Sequence, residues 1–464
     1  MSEKTVSEKP VVVILVVGLT PAMLGPSTPH LSALARDGFV APLTPSLPAV
    51  TCTAQSTMLT GTTPREHGIV ANGWYFRELS EVMLWRQSNR LVTGEKVWET
   101  ARKARPGFRT AQMFWWYNMY STAELSVTPR PIYLADGAKL PSVYSEPADL
   151  GRSLQRELGT FPLFNFWGPN ANITSTDWIT RASCRVIDRE RPDLTLVYLP
   201  HLDYPLQKYG PDHPSIAAEV RAVDALAGQL IERARERGAE VVVLSEYGIE
   251  PATGVVRVNQ VLREAGLLRV QETLGFELLD AGASRAFAVA DHQIAHVYVR
   301  DAADLPRVAA LMRQQPGIEH VLDDAGKRDA GLDHARSGEL VLVAQPGHWF
   351  AYYYWLDDAR APDFARTVDI HRKPGYDPVE LFFDPAQPLV KARAAWTVAK
   401  KLAGFRYLMD VIPLTPELVR GTHGRVLTGD HGPLLISSNK RGRVDAMHQT
   451  QVKSFLLTQL GVTT

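Results

Sequence analysis

"VVVILVV", Val11–Val17, is a run of seven branched apolar residues with no polar alternation, followed at once by Gly18-Leu19-Thr20-Pro21. A strand that alternates can face water on one side. One that does not must be covered on both, as strands of a parallel sheet are. The next stretch, "TPHLSALARDG" (28–38), has helical spacing and ends on a glycine stop. Two more runs share the texture of the first: "LTLVYLP" (Leu194–Pro200) and "AEVVVLS" (Ala239–Ser245). Between them Ser215–Gly238 places Ile216, Val220, Val223, Leu226, Leu230 and Ile231 on one helical face. Strand, helix, strand in that order predicts right-handed crossovers and a parallel sheet. The fold expected is three-layer αβα with a mainly parallel central sheet. Functional groups then gather at the carboxyl ends of the strands, and each run named here ends beside a polar cluster.

Beyond Pro251 the texture changes. "AFAVADHQIAHVYV" (286–299) reads as a strand, followed by a helix over Asp304–Gln314, a Pro-Gly turn, "IEHVL", and then "GELVLVAQPGHWFAYYYWLDD". The buried-strand texture resumes with "LLIS" near Leu434. Residues 1–250 and 410–464 are therefore expected to form the core, with 251–409 an inserted small α+β cap and its return segment.

Composition excludes several function classes. In 464 residues, 50 basic and 50 acidic side chains cancel, and no contiguous block of like charge stands out as a nucleic-acid surface or polybasic membrane patch. The two cysteines, Cys52 and Cys184, rule out a disulfide scaffold and a thiolate zinc site. Val11–Val17 is too short to span a bilayer, and no small-residue cleavage pattern follows it, so neither a membrane span nor an export signal is read. A cytoplasmic protein is the expectation.

The chemistry gathers in "LPAVTCTAQSTMLTGTTPREHGIVANGWYF" (Leu47–Phe76). A hydroxyl at a helix start sits where free backbone N–H groups favour negative charge. Thr51 could attack a phosphoryl group there, with Asn72 donating to a nonbridging oxygen. Alternatively Thr51 caps the helix and Asn72 fills a turn before Gly73. Cys52 reads more readily as a packing residue than as a nucleophile.

The segment resembles the type I phosphodiesterase/nucleotide pyrophosphatase family of the alkaline phosphatase superfamily. The residues that carry the resemblance are Pro48, Thr51, Thr60-Gly61, Pro64, His67-Gly68-Ile69-Val70 and Asn72, with 72 − 51 = 21 the family's spacing from nucleophile to asparagine. "TPHLSALARDG" and "GEKVWE" fit as well, and the likeness recurs in patches to the C-terminus.

The resemblance implies a threonine nucleophile and two metal ions, usually zinc, that activate it. The implied ligands are an aspartate ending the first strand, an Asp-x-x-x-His, an Asp-His pair and a late histidine. Here Val17 stands for the first aspartate, Asp203 and Gln207 for the Asp-x-x-x-His, Glu246 and Tyr247 for the pair, and His423 for the last. Asp203 and His423 match in kind and Glu246 keeps a carboxylate, whereas valine binds no metal and glutamine and tyrosine are uncommon zinc ligands. The ion that would touch Thr51 is the one that loses most. An atypical centre of Asp203, His423 and Glu246 is expected, with zinc or manganese, one ion rather than two, or none. A third ligand would come from His371, or from His292 and His296, which share a strand face at spacing four. His371, Lys373, Gln207 and Tyr247 are candidate substrate contacts, and the cation of Lys373 could stand in for a metal's charge. The aromatic stretches "QMFWWYNMY", "FNFWGPN" and "WFAYYYW" line an apolar pocket or pack the core.

Two functions follow from these residues. One is a hydrolase of a phosphodiester, pyrophosphate or related phosphoryl substrate acting through Thr51. The other is a pseudoenzyme that binds a phosphorylated ligand, or acts as a scaffold, without metal-dependent catalysis. A third and weaker option is transfer or isomerisation with His371 or Lys373 as acid or base. The partner expected is a small phosphorylated molecule, and the oligomeric state stays open.

Overall fold

The computed structural model describes residues 9–135, 138–405 and 407–462. Residues 1–8, in the segment where no export signal is read, lie outside them. A nine-stranded sheet runs in the spatial order Met447–His448, Phe39–Thr44, Leu434–Ser437, Glu240–Leu244, Val11–Val16, Leu194–Leu199, Thr110–Met113, Leu125–Pro129 and Val143–Glu146. The centre is parallel. Leu434–Ser437 enters antiparallel to both of its neighbours, and Val143–Glu146 closes the far edge antiparallel. Every residue of Val11–Val16 is buried, as an unalternating apolar run requires. Helices cover both faces. Pro29–Asp37, Ile173–Glu190 and Ile216–Glu236 pack as one group, while Thr51–Thr60, Val97–Ala104 and Val452–Gln459 form another. This is the expected three-layer αβα architecture.

Register fixes where the chemistry lies. Val16 pairs with Leu199, and Leu15 with Leu244. The residues just past the three strands, Val17, His201–Asp203 and Ser245–Tyr247, therefore emerge side by side at one end of the sheet.

The glycine that stops the Pro29–Asp37 helix acts by contact rather than by a left-handed turn. Gly38 has φ −114°, and a Cβ there would lie 1.7 Å from the Ser437 carbonyl oxygen, so only glycine lets the helix end meet the neighbouring strand.

Beyond Pro251 a second, four-stranded antiparallel sheet forms in the order Ala286–Asp291, Ile294–Val299, Leu340–Ala344 and Ile318–Leu322. Its apolar residues make a separate core drawn from 252 to 419, whereas the main core draws on 11–249 and 434–462. That separation supports the proposal of an inserted unit, although Val411, Ile412, Leu414 and Val419 join its core beyond the expected boundary at 409. One expectation is corrected. "AFAVADHQIAHVYV" is not a single strand but a hairpin turning at His292-Gln293, with Asp291 opposite Ile294 and His292 at φ +58°. A positive φ at the first loop residue twists a two-residue hairpin the right way, and glycine normally supplies it, so the turn carried no sequence signal. His292 and His296 consequently do not share a face.

His296 is structural. Its Nδ1 accepts the Gly338 N–H at 3.1 Å and its Nε2 donates to the Val70 carbonyl at 3.1 Å. Burial, the main cause, lowers its pKa to about 4, and lowers that of His67 to about 3. The unfolded chain takes up these protons near the ordinary value of about 6.5. Between that value and the folded ones the unfolded state binds more protons, so stability falls as pH falls through the window. The urea midpoint should drop between about pH 7 and about pH 5, and less steeply in His296→Gln; an unchanged slope in that variant would contradict a neutral, buried His296.

Candidate functional site

The Thr51–Thr60 helix begins at Thr51 itself, after Val50 in extended backbone. Every residue of that helix is buried. Thr51 can begin it because the free N–H of Cys52 is taken by the Asn72 side-chain oxygen at 3.0 Å. The Thr51 Oγ1 lies 3.0 Å from the Tyr247 hydroxyl, and Tyr247 donates to Asp203 Oδ1 at 3.3 Å. With the phenol proton committed to Asp203, Thr51 must be the donor to Tyr247. Gln207 Nε2 donates to Asp203 Oδ2 at 2.8 Å, and Tyr376 donates to Gln207 Oε1 at 2.9 Å. Asp203 thus receives one bond on each oxygen from the two residues that stand where metal-binding histidines were implied. Burial raises its pKa to about 7, with Gln207 and Tyr247 partly opposing the shift.

Glu246 accepts Gln55 Nε2 on Oε1 at 2.6 Å, while its Oε2 is buried without a partner among the described residues. Burial drives its pKa well above the usual carboxylate range. His423 Nδ1 lies 2.8 Å from the Ala49 carbonyl, an acceptor, so that nitrogen carries the proton and Nε2 the lone pair. Nε2 faces Asp203 Oδ1 at 3.7 Å and makes no hydrogen bond in the described structure. Burial lowers the ring's pKa to about 3 and keeps it neutral. The Tyr247 ring stacks on His423 at 3.7 Å.

Two participants arrive from the second sheet: Asp291 carries no signal in the sequence, and His292 reads there only as a candidate third metal ligand. Asp291 accepts the Asn72 N–H on Oδ2 at 2.7 Å and the Asn72 Nδ2 on Oδ1 at 3.0 Å. It is fully buried, and desolvation raises its pKa to about 7. His292 sits 3.6 Å from the His423 ring and stacks at 3.8 Å on Tyr376. Asp291 and His292 arrive on the hairpin of the second sheet, and that turn is what the sequence hid. Asn72 is accordingly a bridge, clamped to Asp291 on one side and to the nucleophile helix on the other. One of its two amide protons is committed to Asp291, and the other is left to point elsewhere. Around the group Trp85 packs against Trp116 and Tyr376, and Trp167 against Tyr204 and Tyr376. These indoles are half-buried, so they form a wall between the network and the surface.

Other candidates are engaged by partners of their own. Lys373 is buried between Asp377 and Glu380, each at 2.7 Å, so its charge is already matched. His371 hydrogen-bonds the backbone of Leu84. Cys52 is held as a thiol, because burial raises its pKa well above the ordinary value.

These side chains do not fit a two-ion centre. Val17 offers no donor atom, Gln207 and Tyr247 spend their protons on Asp203, and Glu246 is bonded to Gln55. Among the described residues no group of three or more His, Cys, Asp or Glu side chains is arranged to hold an ion. Asp203 Oδ1 and the free nitrogen of His423 face each other at 3.7 Å, and their lone pairs suit a single cation.

The model of the type I phosphodiesterase/nucleotide pyrophosphatase family matches residues 11–377. An uncharacterized pyrophosphatase/phosphodiesterase of Schizosaccharomyces pombe is 28% identical over 237 residues, 49% of this chain and 41% of that protein. The match therefore spans about two fifths of that relative's length. Among solved structures, phosphonoacetate hydrolase of Sinorhizobium meliloti with phosphonoformate superposes with a TM-score of 0.64 at 15% identity, covering 98% of this chain and 96% of that one. Murine ectonucleotide pyrophosphatase/phosphodiesterase 5, as an inactive threonine-to-alanine form with AMP, gives a TM-score of 0.59 at 15% identity and the same coverages, 98% and 96%. At such identities the likeness shows the alkaline phosphatase-like fold.

Asp291→Ala would strip the acceptor from two buried donors of Asn72. Its unfolding free energy should fall by roughly 2–3 kcal/mol in urea denaturation, and an unchanged midpoint would contradict the bridge.

Proposed function

This chain belongs to the type I phosphodiesterase/nucleotide pyrophosphatase family, and from that premise we propose that it hydrolyses a small phosphorylated substrate through Thr51. The observation that supports the reading is the directed bond chain Thr51 to Tyr247 to Asp203. Threonine is a weak nucleophile because almost none of it is ionised near neutrality. Here its proton has a path. As Oγ1 bonds to phosphorus, the proton moves to the Tyr247 oxygen while the phenol proton passes to Asp203. The P–O bond to the leaving group breaks with its electron pair on that oxygen, which takes a proton from solvent. Water then attacks phosphorus, releasing one proton to solvent, and breaks the Thr51–phosphorus bond; the hydroxyl recovers its proton along the same path. Asn72, oriented by Asp291, offers its uncommitted N–H to a nonbridging oxygen. The threonine-to-alanine form of the murine relative, named inactive, agrees with the role given to Thr51.

A cation between Asp203 and His423 would supply positive charge for the phosphoryl oxygens. The indole wall of Trp85, Trp116 and Trp167 suits a leaving group that bears a ring.

The closed character of the network favours a second reading. Thr51 is 4% exposed and Asn72 1%, and protein donors occupy the metal positions, which suits a module that binds a phosphorylated ligand without turning it over.

With bis(p-nitrophenyl) phosphate as substrate, Thr51→Ala should abolish turnover. Tyr247→Phe should lower kcat about 100-fold with KM little changed, the size of a lost proton-transfer aid. Turnover that survives Thr51→Ala would reject the threonine mechanism. A wild-type protein that binds AMP or phosphate, turns nothing over and holds no metal would leave the binding module.

A further inference from the structure

The helix Val390–Leu402 carries two apolar faces, and the fold uses one of them. Val390 and Ala394 pack on the second core, and Thr397 is buried beside them. Leu389, Ala392, Trp396 and Ala399 recur at helical spacing on the side that faces solvent, with Val398 next to them. Leu389 is 81% exposed, Trp396 64%, and Phe405, just past the helix, 67%. Single exposed apolar side chains occur elsewhere, such as Leu274 and Leu79, but several large ones on one helix and its ends form a stripe.

Charge gives the stripe its direction. From 385 to 410 the sequence holds Lys391, Arg393, Lys400, Lys401 and Arg406 against one acidic residue, Asp410, an excess of four in a chain that is neutral overall. The bases are scattered along the sequence and form no contiguous block. Lys391 and Lys400 are exposed, and the Lys400 ammonium lies 5.8 Å from the Trp396 ring centre. Lys208, on the helix that carries Asp203 and Gln207, adds its charge near Lys391, whose proximity helps to lower its pKa after burial. Arg393 is paired with Asp410.

We propose that this face docks on an anionic phospholipid surface, with Trp396, Leu389 and Phe405 entering the headgroup boundary and the lysines resting on lipid phosphates. Amphipathic helices that lie in the interface combine these two features, and long lysine stems let the charge stay with the headgroups while the ring sinks. A second copy of the chain is a poorer occupant, because a two-fold contact would set the same uncompensated bases against each other. The surface is independent of the phosphoryl reading and stands or falls without it.

Sedimentation of the full chain with vesicles tests it. Binding is expected to vesicles of phosphatidylcholine with phosphatidylglycerol, weak binding to phosphatidylcholine alone, and release by salt. Trp396→Asp, and the double variant Lys391→Glu with Lys400→Glu, should each weaken binding by at least about tenfold. All three positions are exposed, so the variants should melt as the wild type does. Failure of the wild type to pellet with the anionic vesicles overturns the proposal, including the case in which an acidic protein proves to take this face. Equal pelleting by the charge-reversed variant overturns it too.

Discussion

Three carboxyl groups, Asp203, Glu246 and Asp291, are buried around the start of one helix, and the surroundings of the site follow from how they are satisfied. A buried carboxylate is costly unless bonds or charges replace its water. No lysine or arginine reaches them in the contacts described; the donors are neutral. Gln207 and Tyr247 serve Asp203, Gln55 serves Glu246, and Asn72 serves Asp291 twice. Burial raises the pKa of each, to about 7 for Asp203 and Asp291. A two-ion centre would have met the same cost with metal charge. Glutamine and tyrosine where the family resemblance implies histidines, with valine where it implies an aspartate, leave neutral donors on Asp203.

The directed bonds follow from the same constraint. Because Asp203 needs donors, the Tyr247 proton points at it, and because that proton is used, Thr51 must point at Tyr247. Asn72 is ordered in the same manner. Its oxygen is fixed by the Cys52 N–H and its nitrogen by Asp291, so both functional side chains are held by partners outside their own segment. Tyr376 and His292 complete the enclosure from the second sheet.

How much of this the sequence disclosed depends on what encoded it. Unalternating runs such as Val11–Val17 identify buried parallel strands because burial on both faces leaves no polar position, and the spacing from Thr51 to Asn72 lies within one continuous segment. The positions that answer to the family's ligands were legible only through the resemblance; Val17, Asp203 and Glu246 among them follow strands that register sets side by side. Asp291 was not, and His292 reads only as a candidate third ligand sharing a strand face with His296. They reach the site from a hairpin 219 residues away from Asn72, at a turn made by histidine rather than glycine. His371 and Lys373 misled for the opposite reason. Local richness in chargeable groups looked like a site, but Lys373 is matched within its own loop by Asp377 and Glu380. The outward face of Val390–Leu402 escaped notice because its bases are scattered along the sequence.

The central claim is that Thr51 and Asn72 address one tetrahedral anion in a site whose own hydrogen bonds replace the paired metal ions. A crystal structure of the protein soaked with orthovanadate in the presence of zinc tests it most directly. The account predicts vanadium on the Thr51 oxygen, the free Asn72 N–H on a vanadate oxygen, and no pair of zinc ions flanking the hydroxyl. Vanadate seated elsewhere, or two zinc ions bridging Thr51 and displacing Tyr247 from Asp203, would contradict it.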